Sequence, residues 1–148
     1  MSKEFIKYKL NNNENRKYIK LYLNKEVFRP TETTKFLLEA VIKKFPKRKV
    51  KVLDLGWGNG VVGIYLLKKY KNIINMTFAD ISEKAIINAR QNCELNKISK
   101  RKTQFLKSSV FENIKDSKFD IIINDISGIS YEIAKISEWF RNVPCESG

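Results

Sequence analysis

The fold class this chain predicts is doubly wound α/β, with a mostly parallel sheet and a β-hairpin ahead of it, and three features of the sequence lead there. Short β-branched runs alternate with helical periods through most of the chain, which is the signature of βαβ units. The run Val50-Lys51-Val52-Leu53-Asp54-Leu55 passes directly into Gly56-Trp57-Gly58-Asn59-Gly60 and then into apolar Val61-Val62-Gly63-Ile64. A strand, a glycine turn and a helix thus follow one another without a spacer. The next apolar run, Ile73 to Ala79, ends on a second acid, Asp80, about 20 residues on, where a ribose-binding carboxylate belongs in such a unit.

Taken in order, Phe5 to Leu10 and Lys17 to Leu23 alternate apolar and polar residues around Asn11-Asn12-Asn13-Glu14-Asn15, which predicts the hairpin. Residues 1–28 are therefore expected as an N-terminal hairpin extension and 29–148 as the main, ligand-binding domain. Pro30 and the threonines at 31, 33 and 34 mark the start of a helix over Thr33 to Phe45, with Phe36, Leu37, Ala40 and Val41 as its buried stripe. Then follow a strand at Val50 to Leu55, a helix from Gly60 to Tyr70, a strand at Ile73 to Ala79 and a helix from Ser82 to Asn96. A strand at Thr103 to Leu106, another at Phe119 to Ile123 and a helix from Ile129 to Arg141 complete the series. Ile129, Ile133, Ile136 and Phe140 give that last helix an apolar seam.

Composition narrows the function classes. One domain with a real core fits 148 residues at 43% hydrophobic content. The longest apolar run, around Ile64 to Leu67, is far short of the ~20 residues that span a bilayer, and no signal-peptide stretch opens the chain, so a cytoplasmic protein without membrane partners is expected. Histidine is absent and the two cysteines, Cys93 and Cys145, form no CxxC pair. A zinc site or a histidine-based triad is not expected, and no metal is. Cys93 shares a helical face with Ile86 and Ala89 and reads as a core thiol.

The net charge of +13 invites a nucleic-acid reading, but its placement argues otherwise. Lys43, Lys44, Lys47, Arg48, Lys49 and Lys51 precede the first core strand, Lys68, Lys69 and Lys71 the second, and Lys97, Lys100, Arg101 and Lys102 the third. In a parallel sheet those loops lie opposite the crevice that binds ligands. The N-terminal segment differs: Lys7, Lys9, Arg16, Lys17 and Lys20 interleave with Phe5, Tyr8, Tyr18 and Tyr22. That mixture suits single-stranded RNA, or equally a hairpin packing its aromatics on the domain.

The glycine turn carries the chemistry. Alternate glycines allow positive φ and close backbone approach, above the unpaired N–H groups of a helix start. Gly58-x-Gly60-x-x-Gly63 also fits the dinucleotide fingerprint. Asp54 argues against it: a carboxylate beside a pyrophosphate repels by roughly 4 kcal/mol at 4 Å and an effective dielectric of 20. The same carboxylate favours a ligand carrying an ammonium and a sulfonium and no phosphate.

With those residues in view, the segment resembles motif I of class I S-adenosylmethionine-dependent methyltransferases, an acid followed by Gly-x-Gly-x-Gly. The likeness runs from about Val27 onward and implies a Rossmann-like sheet in spatial order 3-2-1-4 over the four strands. Asp80, in Phe78-Ala79-Asp80-Ile81-Ser82, matches the acid that binds the ribose hydroxyls, and Ala85 to Asn92 looks like the following helix of the small-domain group, which includes HemK-like glutamine methyltransferases and ribosomal RNA guanine methyltransferases. Val27-Phe28-Arg29-Pro30-Thr31-Glu32-Thr33 resembles the segment that lies over the cofactor there. Ser108-Ser109-Val110-Phe111-Glu112 resembles the loop beside the adenine, with Ser109 where an acid is usual. The fourth strand departs most. Asn-Pro-Pro-Tyr is usual at its end, and Asn124-Asp125-Ile126-Ser127 stands here, keeping the Asn and losing the prolines and the aromatic.

The resemblance implies S-adenosylmethionine held by Asp54, Gly56, Trp57, Gly58, Gly60, Asp80, Ile81, Ser109, Val110 and Asn124, with Asn124 and Asp125 presenting a nitrogen acceptor on RNA or protein. Asn124, Asp125 and Ser127 also fit a plain turn and helix cap. Two other functions stay open: a non-catalytic methyltransferase-like module that binds RNA or a protein, and a nicotinamide oxidoreductase. The family pattern continues beyond four strands, so a strand at Phe119 to Ile123 is expected to lie at an edge, and the chain to be a piece of a longer enzyme or to self-associate there.

Overall fold

The computed structural model describes residues 5–10, 18–115, 118–126 and 130–137. Two short strands, β1 (Ile6–Tyr8) and β2 (Ile19–Leu21), pair antiparallel as the hairpin. The main domain runs α1 (Glu32–Lys43), β3 (Val50–Leu55), α2 (Val61–Lys69), β4 (Ile73–Asp80), α3 (Glu83–Leu95), a 3-10 turn (Lys100–Lys102), β5 (Thr103–Lys107), β6 (Ile121–Asn124) and α4 (Tyr131–Ile136). All four sheet strands are parallel, in the order β5-β4-β3-β6. That is the expected spatial order, and β6 closes the sheet at one side among the described residues.

The period-2 alternation of β3 divides the core. Val50 and Val52 enter the larger cluster with Ile64, Leu66, Met76 and Phe78, while Leu53 and Leu55 join Ala79, Leu106, Ile114 and Phe119 on the other face. Asp54 lies between Leu53 and Leu55 and so shares the face of Val52. That alternation carries a carboxylate into the larger cluster, 2% exposed.

Several expectations shift. In α1 the buried residues are Thr34 and Leu38, with Leu37, Val41 and Ile42 packed partly against the core, whereas Phe36 is 64% exposed and Ala40 is exposed. Two overlapping stripes at helical spacing are present in this helix, and packing chose the one rotated toward Leu38. β6 begins two residues later than Phe119: Asp120 N still donates to Lys51 O, but the Lys51 N–H goes to the Asp120 carboxylate, which also accepts from Arg48, instead of to a strand carbonyl. In α4 it is Ala134 that is buried, while Ile133 and Ile136 are 55% and 77% exposed. Spacing shows that those isoleucines share a face but not that the face is covered. Ile129 and Phe140 of the expected seam, the hairpin turn at 11–15 and Cys145 lie outside the described residues. Cys93 is a core thiol at 4% exposure, pushed up to about 12 by burial.

The hairpin is sewn to the domain by three asparagines one turn apart, Asn88 and Asn92 on α3 and Asn96 at its C-cap. Asn96 accepts from Lys20 N (2.9 Å) and donates to Lys20 O (2.6 Å). Asn92 accepts from Tyr22 N (2.7 Å) and donates to Tyr22 O (3.2 Å), and Asn88 donates to the same carbonyl (3.0 Å). The carboxamides thereby satisfy the backbone of β2 and of the residue after it much as a neighbouring strand would, while Ile19 and Leu21 enter the main core at 1% and 0% exposure. The aromatics lie nearer the surface, Phe5 edge-on to Tyr22 with Lys20 over its ring.

Because Asn92 is fully buried, replacing it with Leu strands the Tyr22 N–H and the Asn59 carbonyl, while Asn88 still donates to Tyr22 O. Asn92→Leu is expected to cost on the order of 3 kcal/mol in urea unfolding, against about 1 kcal/mol for Asn88→Ala, whose Oδ1 has no partner. Equal losses in the two variants would remove the ladder as the element that holds β2.

Candidate functional site

At the C-terminal ends of the parallel strands lies a cavity of about 510 Å³, a size common for small-ligand sites. Its floor is the loop between β3 and α2. Gly56, Gly58 and Gly60 take φ of 70°, 55° and 80°, and a Cβ on Gly56 would lie 2.6 Å from Ile126 Cγ1. Gly60 ends the loop as the left-handed cap of α2. Gly63, one turn into that helix, is helical, and what requires glycine there is space: a Cβ would lie 2.8 Å from Phe78 Cζ and 2.9 Å from Asp54 Oδ2.

The two motif acids are held by backbone. Asp54 Oδ2 accepts from Gly63 N (2.9 Å), tying the strand to the helix it feeds. Asp80 Oδ2 accepts from Gly58 N (3.1 Å) and its Oδ1 from Ser82 N (2.9 Å), so it joins the glycine loop to the start of α3. Burial raises both pKa values; for Asp54 it outweighs the hydrogen bond from Gly63, and with Asp125 and Asp80 nearby the value rises to about 7. Desolvation raises Asp125 as well.

Asp54, Gly56, Trp57, Gly58, Asp80, Ile81, Ser109, Val110 and Asp125 all line this one cavity. Gly60 lies beneath it, where a Cβ would come within 3.0 Å of Ala89. Asn124 does not line it either: its Oδ1 accepts from Ile126 N (3.0 Å), the local turn that Asn allows. The Trp57 ring packs against Phe78 and Phe105 at 4.8 and 5.5 Å between centroids, so this residue serves the core as well as the cavity wall.

On the far wall, buried Ser108 donates to Val110 O (3.0 Å) and accepts from Asn113 N (3.1 Å). Those bonds hold Val110 at φ 46°, a strained conformation for a β-branched residue. The roof is the segment before α1, where Val27, Phe28, Arg29 and Pro30 line the cavity. Sequence reasoning missed Glu26, Asn59 and Asn92. A helix carrying Asn at 88, 92 and 96 and an Asn two residues ahead of an apolar helix are the signals that could have found the last two.

The charges of the lining decide what fits. Glu26, Asp54, Asp80 and Asp125 contribute four carboxylates against one cation, Arg29, in a chain of net charge +13. A polyphosphate would find repulsion there; a ligand with two cationic groups, one carboxylate and a ribose finds a partner for each.

A family model described as a methyltransferase small domain matches residues 25–125. The release factor glutamine methyltransferase of Lactococcus lactis is 32% identical over 114 residues, 77% of this chain and 40% of that protein. The ribosomal RNA small subunit methyltransferase C of Pasteurella multocida is 36% identical over 75 residues, 51% of this chain and 21% of that one. Among solved structures, a ribosomal protein L11 methylase from Lactobacillus delbrueckii superposes with a TM-score of 0.56 at 26% identity, over 68% of this chain and 49% of that chain. The chain thus spans half or less of the length of each of these proteins.

Asp54 titrates near 7 in the fold and near 3.8 in the unfolded chain, so between those values the native state binds the extra proton and stability falls as pH rises. Asp80 and Asp125 act in the same sense. Asp120, held low first by the Lys51 N–H and then by Arg48, acts in the opposite one. Asp54→Asn keeps an acceptor for Gly63 N and removes the charge. Its unfolding free energy is expected to match the wild type only below about pH 4, where Asp54 is protonated in both states, and to exceed it by a margin that grows toward on the order of 4 kcal/mol at pH 8. A margin that stays constant with pH would show that Asp54 is already ionised in the fold.

Proposed function

The chain belongs to the methyltransferase small domain family, and from that premise we propose that its cavity binds S-adenosylmethionine and that the protein methylates a nitrogen of a protein side chain or of RNA. The acidic lining in a basic chain is the observation that carries the reading. When bound, the cofactor supplies a methyl group on a cationic sulfur. Asp54 and Glu26 would face the cationic end and Arg29 the carboxylate. Asp80 already accepts two backbone N–H bonds, yet its oxygens keep lone pairs for the ribose hydroxyls. Ser109 and Val110 would border the base.

Asp125 is the titratable group at the rim suited to orient an acceptor N–H and to take its proton, and desolvation already raises its pKa. Asn124 would act by fixing the turn at Ile126, with one Oδ1 lone pair left for the acceptor. Positioning supplies most of the catalysis in this reading, since oriented approach can lower a barrier by roughly 7–11 kcal/mol without a strong base. A protein acceptor agrees with the relative named for release factor glutamine, an RNA acceptor with the one named for ribosomal RNA. No helix among the described residues is long and apolar enough to cross a membrane, and a cytoplasmic setting and pairing through the outer edge of β6 belong to the same proposal. Engagement of Asn124 in its own turn favours a second reading, a binding module without transfer.

Calorimetric titration of S-adenosylmethionine is expected to show one site, with affinity rising as pH passes through 7 and Asp54 ionises. Asp80→Ala should weaken it at least tenfold, because bonds from the ribose hydroxyls to a carboxylate are worth about 1.5–3 kcal/mol each. No heat with the wild type would remove the cofactor assignment. Labelled methyl recovered in protease-sensitive or nuclease-sensitive material would identify the acceptor, and none in either would favour the binding module.

A further inference from the structure

The cavity has a roof that belongs to no helix or strand. Residues 24–31 cross over the glycine loop as irregular backbone, and Val27, Phe28, Arg29 and Pro30 among them line the cavity. Their local anchors include a turn from Val27 N to Asn24 O (3.2 Å), a bond from Glu26 N to Asn24 Oδ1 (3.0 Å), one from Thr31 N to Thr34 Oγ1 (3.2 Å), the buried Val27 side chain and an exposed ion pair between Glu26 and Lys84, the last a weak restraint in solvent.

Asn59 lies in the floor directly beneath, 2% exposed, and its carboxamide spans both layers. Its Oδ1 accepts from Val61 N (3.0 Å), satisfying an N–H at the start of α2, and its Nδ2 donates to Phe28 O (2.9 Å). Its own carbonyl accepts from Asn92 Nδ2 (2.9 Å), the side chain that also grips Tyr22. Next to it, Gly58 has no side chain to hold the roof away: a Cβ there would come within 3.4 Å of Phe28 O. Gly58 N is also the group that binds Asp80.

We propose that Asn59 is a positioning residue that latches the segment 24–31 over the cavity, so that its carboxamide sets how long the cavity keeps its ligand. A ligand leaving toward the roof has to part Phe28 O from Asn59 Nδ2, a partly buried bond whose donor residue is 2% exposed. The latch acts on release more than on capture, because the open state binds with the same floor. The inference rests on the cofactor reading above only for the identity of the ligand used as probe.

Two variants separate the latch from the fold. Asn59→Ser keeps an oxygen that can accept from Val61 N but is too short to reach Phe28 O. Asn59→Asp keeps the acceptor and exchanges the donor for a carboxylate, which a helix N-terminus tolerates well. Stopped-flow release of S-adenosylmethionine, followed by tryptophan fluorescence, is expected to be at least tenfold faster in Asn59→Ser, with the association rate within about twofold and a melting transition that stays cooperative, though at a lower temperature. Backbone amides 26–29 of the ligand-free protein should exchange hydrogen faster in both variants. Unchanged release and unchanged exchange in the folded variants would overturn the latch, as would an equal loss in association and release, which marks damage to the floor. A wild type that binds no S-adenosylmethionine while its variants still exchange faster at 26–29 would overturn the cofactor reading and sustain the latch.

Discussion

One buried hydrogen bond organises this fold, that from the amide of Gly63 to the carboxylate of Asp54. It joins the last turn of a strand to the first turn of the helix that follows it, across a loop that must reverse direction over five residues. The bond forms because position 63 has no side chain; any Cβ would strike Phe78 and the carboxylate itself. With helix and strand drawn this close, the loop between them is forced into left-handed backbone at its three glycines. The curve turns Gly58 N toward Asp80 and brings the second acid to the same cavity. A single missing side chain thus sets the spacing of strand, loop, helix and both carboxylates.

The carboxylate in that bond sits where its charge is costly, which explains a raised pKa of about 7 rather than the depressed one of a paired acid. No cation among the described residues is positioned as its ion-pair partner, and the only cation of the lining is Arg29, on the roof. Instability of this kind is stored where a positive ligand can relieve it. The basic residues that dominate the composition are elsewhere. Lys47, Arg48, Lys49, Lys71 and Arg101 cluster at the opposite ends of the strands, in loops tied together through Asn72 and Lys102, leaving the cavity to its carboxylates.

The order of elements, the parallel sheet and three of the four cavity acids, Asp54, Asp80 and Asp125, were legible in the sequence because each rests on local chemistry: β-branched runs, glycine spacing, an acid at a strand end. What sequence did not show was orientation. Phe36 and Leu38 belong to overlapping stripes of α1, and only packing against the core cluster chose between them; Ile133 and Ile136 share a face that the described residues leave exposed. Asn124 could be read as a binding residue or as a turn residue, and its carboxamide engages the turn. The asparagine ladder was hidden for a different reason. Its partners are backbone atoms, which any residue supplies, so the spacing of Asn88, Asn92 and Asn96 marks a polar stripe without marking which segment it holds.

Those contacts also carry an order in time. The bonds that dock β2 onto α3 join residues 70 and 76 positions apart, so the hairpin emerges from the ribosome well before the helix that fixes it exists. Closing a loop of that length costs entropy that only a formed helix surface can repay. The nascent amino-terminal strand therefore has to wait, pairing with β1 alone, and a lone two-stranded hairpin is marginal in water. The place of the amino-terminal hairpin in the fold thus rests on a surface supplied from much later in the chain.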